Sequence, residues 1–127
     1  MSFTNFLETE ILDHVFAGAA YTAPGTHYLA LFTAVADGEA GSVTELSGSA
    51  YARQSVAFTT SGNTTSNNAA VEFPTATGSW GTVTHVGVYD AQTSGNLMAY
   101  ATLSSSKTID TGDVFRVPSG DLDITLN

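Results

Sequence analysis

"WGTVTHVGVYDAQTSGNLMAYATL", residues 80–103, decides the fold. Apolar and polar positions alternate on both sides of "AQTSG", which is the two-residue period of a strand. The spacing predicts two antiparallel strands, 81–90 and 96–103, joined by a short loop containing Gly95. The same stretch gathers Trp80, His85, Tyr89 and Asp90, which invites a catalytic reading. Alternation argues against it. His85, Gly87 and Tyr89 share one face, whereas Val86, Val88 and Asp90 share the other, so His85 and Asp90 diverge. Gly87 leaves a gap between two rings. A large ring from an adjacent strand, Tyr100 or Trp80, is expected to fill it.

Further strands follow the same logic on either side. "HYLALFTAV" (27–35) reads as one, and "ADGEAGS" after it as a loop. "ARQSVAFTT" (52–60) reads as a single strand with Gln54, Val56 and Phe58 on one side. "SGNTTSNN" (61–68) looks polar and flexible. "AAVEFP" is a short strand ended by Pro74. "KTIDTGDVFRV" crosses a turn at 110–112, and "SGDLDITLN" closes the chain with Leu122, Ile124 and Leu126 facing one way. "SGSAY" and "SSS" read as turn and surface material. Seven or eight short strands without βαβ alternation predict a mainly β fold. The expected architecture is an antiparallel β-sandwich or jelly-roll-like barrel, in one domain spanning 1–127.

One segment breaks the pattern. In "SFTNFLETEILDHVFAG", Phe3, Leu7, Ile11 and Val15 recur every four residues with Phe6 beside them, predicting an N-terminal helix over about 3–17. Ser2 or Asn5 can cap its start, with Glu8 completing a capping box after Asn5. Gly18 is a natural stop. The stripe needs a partner, either the chain's own sheet or a neighbouring subunit.

Composition narrows the function. Three basic residues, Arg53, Lys107 and Arg116, face twelve acidic ones, for a net charge of −9. So few cations cannot neutralise many phosphates, which argues against nucleic acid and against anionic membrane surfaces. Charged residues are 12% of the chain, against roughly a quarter in ordinary domains, and Ser and Thr supply the polar surface instead. The absence of cysteine excludes disulfides and thiol catalysis. The N-terminus lacks the basic region of a secretory signal, and no apolar run reaches the roughly 18 residues of a membrane span.

The remaining chemistry is sparse. There is no GxSxG elbow, no HExxH and no phosphate loop. His14, His27 and His85 are far apart in sequence. "DTGD" and "GDLD" offer carboxylates but not the twelve-residue calcium loop. Glu45, Glu72 and Asp90 are available as glycosidase carboxylates, although nothing in the spacing pairs them. Trp80, Tyr89 and Tyr100 are candidates for a sugar-stacking platform, or for core or interface aromatics. The isolated Arg53 and Arg116 are expected to pair with carboxylates, within the fold or across a subunit contact.

The pieces "HYLALFTA", "TELSGSAYARQSVAFT", the long run 71–103 and "KTIDTGDVFRVPSGDLDITL" together resemble a family of small bacteriophage virion proteins, tail-fibre-like or head-decoration-like. The resemblance implies a non-enzymatic part, without cofactor or metal, on the exterior of a phage particle. It would repeat there, as a homotrimer, and contact other virion proteins: the major capsid protein if it is a capsid decoration (cement) protein, tail proteins if it is a tail-fibre or tail-tip component. The decoration role is the leading expectation. The residues expected at such contacts are Phe3, Phe6, Leu7, Ile11, Trp80, Tyr89, Arg53 and Arg116.

Overall fold

A computed structural model describes residues 1–127. As the alternation predicts, it is mainly β, built from antiparallel sheets with one N-terminal helix. The principal sheet assembles around β2 (His27–Asp37). On one edge β2 pairs with β8 (Gly81–Tyr89), which pairs with β9 (Leu97–Ile109), which pairs with the two-residue β1 (Ser2–Phe3). On its other edge lie β3 (Ser42–Glu45) and β4 (Gln54–Val56), end to end.

The main core lies on the face bearing Leu29, Leu31, Val86 and Val88. Two small sheets cover it. β7 (Val71–Glu72) pairs with β10 (Arg116–Val117), and β6 (Thr64–Asn67) lies between β5 (Phe58–Ser61) and β11 (Asp123–Thr125). Phe73, Trp80, Phe115 and Leu122 fill the space between the layers. The opposite face of β2 carries Ala30 and Phe32, which form a smaller cluster with Tyr89 and Leu97.

The 80–103 hairpin forms as predicted, and its Gly87 does receive a ring. That ring is Phe32 from β2, however, rather than Tyr100 or Trp80. A methyl group at Gly87 would lie 2.6 Å from the Phe32 ring and 2.7 Å from Leu97. Trp80 belongs to the other face, in the main core. Tyr100 instead covers Gly38 and donates to Glu39 at 2.6 Å.

Four expectations need correction. "ADGEAGS" is not all loop: β2 runs on to Asp37, and β3 starts at Ser42. The 52–60 segment is two strands in different sheets, because the chain leaves β2 after Val56. "SGNTTSNN" is ordered as a tight hairpin, with Gly62 at φ +63° in a two-residue loop. Its Asn67 is buried, donates to Ala69 O and Pro118 O, and accepts from Leu122 N, all at 2.9 Å. "SSS" is at the surface as expected, but within β9 rather than a turn, and the strand bulges there: β9 uses the residues from Thr102 to Lys107 where β8 advances only from Val83 to His85.

The helix, α1 (Asn5–Phe16), starts later than predicted, and its N-cap is Thr4 rather than Ser2 or Asn5. Pairing of Phe3 with Ala99 holds the preceding residues in a strand. Thr4 is then anchored by its N–H to Met98 O (2.9 Å) and its hydroxyl to Leu97 O (2.6 Å), while its Oγ1 accepts from Leu7 N. Gly18, at φ +73°, ends the helix as expected. The N-terminal amine donates to Asp123 O, and Leu126 N donates to Asn63 O, so both chain ends attach to the β5–β6–β11 sheet.

Gly87→Ala is expected to destabilise the fold by about 1–3 kcal/mol through overpacking against Phe32 and Leu97. Urea unfolding checks this; an unchanged midpoint would refute the close packing.

Candidate interaction surfaces

The suspected catalytic residues do not converge. His85 Nδ1 lies 2.7 Å from Thr84 Oγ1, and no acid contacts its ring. Asp90 accepts from Asn96 N (2.7 Å) and Asn96 Nδ2 (2.9 Å), and so closes the base of the hairpin loop. Glu45 faces Arg53, and Glu72 faces Arg116 at 3.9 Å with both side chains more than half exposed. The sugar platform is not assembled either. Trp80 is buried on one face, with its indole N–H donated to Ser49 O at 2.9 Å, and Tyr89 is buried on the other.

Arg53 organises a buried polar node. Its side chain is 8% exposed and makes a bidentate pair with Glu45 (2.9 and 2.8 Å). Its Nη1 donates to Ala91 O (2.9 Å) and Ser94 O (2.6 Å), the hairpin loop. The guanidinium lies 3.5 Å above the Tyr89 ring. One arginine therefore ties the turn before β4 to β3 and to the β8–β9 loop. Of the two pairings expected for Arg53, within the chain or across subunits, the fold supplies the internal one.

Tyr51 completes the node. It donates to Glu45 at 2.7 Å and accepts from Leu31 N at 3.1 Å. That accepted bond matters because Leu31 sits where the β2 edge passes from β4 to β3, and its N–H has no strand partner there. Burial, then the hydrogen bond to Glu45, push the Tyr51 hydroxyl far above the usual phenol range. Burial also raises Tyr89. For Arg53, burial opposes the charge, but the Glu45 pair outweighs it and raises the pKa overall.

The N-terminal stripe divides in two. Leu7 is buried, and Phe3, Phe6 and Ile11 are half-buried. Phe3 and Leu7 line an apolar groove of about 240 Å³ with His27, Phe58, Met98 and Ile124. Burial lowers the His27 pKa, against an opposing influence from Asp90. Beyond Ile11 the helix is uncovered: Leu12, Val15 and Phe16 are 57%, 60% and 81% exposed. The four-residue repeat puts Val15 on a stripe that needs a partner, the chain's own sheet or a neighbouring subunit, and passes over Leu12 and Phe16; nothing in this chain covers Val15. Their i, i+3, i+4 spacing is the signal that could have identified them.

A family model described as "Podophage GP4 fiber I protein gp80" matches residues 2–125. No curated protein matches the sequence.

Arg53→Met should destabilise the protein by about 3 kcal/mol, by stranding the Glu45 carboxylate. Adding Glu45→Met should recover part of that loss in chemical denaturation. The Tyr51 pKa is raised on folding, so its contribution is complete below the unfolded value of about 10. The contribution is lost as pH rises from there through the folded value. Stability measured above pH 10 should fall less steeply in Tyr51→Phe than in the parent.

Proposed function

The chain belongs to the podophage GP4 fiber I protein gp80 family, and from this we propose that it is a non-enzymatic component of the tail fibre, carried on the exterior of the particle. Family membership makes it a phage structural protein. The fibre in the family description favours the tail over the capsid-decoration role that headed the sequence expectations. The observation that carries the reading is the extent of the match, 2–125 in a chain of 127 residues.

The fold supports an assembly role. Hydrogen bonds within the sheet and its hairpin loop engage the polar side chains that might have done chemistry, His85 and Asp90. What the surface offers instead is an apolar helix end, Leu12, Val15 and Phe16, suited to docking on another virion protein.

Gold-labelled antibody against the protein, viewed on intact particles by electron microscopy, should decorate the tail. Label confined to the head would overturn the fibre reading in favour of decoration.

A further inference from the structure

In a chain of net charge −9, the cations are not scattered. Arg53 is buried and internally paired. The other two, Lys107 and Arg116, line a single groove of about 430 Å³, together with Met1. The β9 bulge forms one wall of this groove through Leu103 and Ser104, and Phe115, Val117 and Leu122 give it an apolar floor. Lys107 makes no ion pair, and the Arg116–Glu72 pair is long and exposed. Asp121 and Asp123 also border the groove, Asp123 bonded to the Ser66 hydroxyl, so the lining carries carboxylates as well as cations. The groove therefore suits an amphipathic segment that sets apolar side chains on the floor and carboxylates against Lys107 and Arg116.

This chain exposes one such segment. Along α1, Glu8, Leu12, Val15 and Phe16 fall on one face, at i, i+4, i+7 and i+8, with Asp13 at its margin. The three apolar members are the exposed ones, and no Lys or Arg lies on the helix. No residue of α1 lines the groove of its own chain. The geometry points to a contact between two copies. The α1 helix of one copy lies in the groove of the next, with Leu12, Val15 and Phe16 on the apolar floor and Glu8 and Asp13 toward Lys107 and Arg116. Helix and groove are different patches, so the contact is either reciprocal, closing a two-fold dimer, or head-to-tail, generating a ring or a filament. It does not depend on the protein's station on the particle, so head labelling would leave it standing.

Sedimentation velocity over a concentration series tests the contact, with circular dichroism to verify folding of each variant. The parent should self-associate, and more weakly as salt rises. Phe16→Ser alone, and Lys107→Glu with Arg116→Glu, should each weaken association about tenfold or more. Adding Glu8→Lys and Asp13→Lys to the groove reversal, which exchanges the charges, should restore it. A parent that stays monomeric throughout, a groove reversal without effect, or a charge exchange that fails to restore association would each overturn the contact.

Discussion

Four consecutive residues of β2, Leu29 to Phe32, are wholly buried. A strand covered on both faces constrains everything around it. Leu29 and Leu31 require the layer formed by the two small sheets, while Ala30 and Phe32 require cover from Tyr89 and Leu97. Its backbone must also be satisfied on both edges, since water cannot reach it. β8 serves one edge from Tyr28 to Phe32. The other is shared by β4 and β3, and between them Leu31 donates to the Tyr51 hydroxyl and accepts from Leu46 N. A phenol does here what a strand would do elsewhere. It must stay protonated to reach Glu45 as a donor, and burial keeps it so.

The electrostatics follow from scarcity. With twelve acids and three basic side chains, most carboxylates must remain in water. Glu45 can be drawn into the protein because Arg53 accompanies it with matched fork geometry. The same guanidinium fixes Ala91 and Ser94, so a loop with little apolar content is held by charge-assisted hydrogen bonds. The remaining cations stay near the surface, where their fields extend to whatever approaches.

The legible parts of the chain were those whose period is set by one buried face. The 80–103 hairpin and the closing Leu122–Ile124 alternation carry that pattern, and Gly87 signals that a ring enters; β2, buried on both faces, is legible instead as a run of apolar residues. The partner ring was not legible, because strand order decides it: β8 lies between β9 and β2, and the ring comes from β2. The 61–68 segment reads as flexible for the opposite reason. Its strand is stabilised by Asn67 side-chain bonds and by Thr and Ser at the surface, so no apolar alternation marks it. The Arg53–Glu45 node was half legible, since an isolated arginine demands a carboxylate but does not name it. On α1, the four-residue repeat puts Val15 on a stripe that needs a partner, the chain's own sheet or a neighbouring subunit. The short contact of the helix with β1 and β9 covers only its first half.

The anchoring of both chain ends has an architectural consequence. Met1 is held by the carbonyl of Asp123, and Leu126 by that of Asn63, so residues 1 and 126 are fastened to the same small sheet. Loosening that one layer would free both segments at once, and with the first of them the strand that starts the helix.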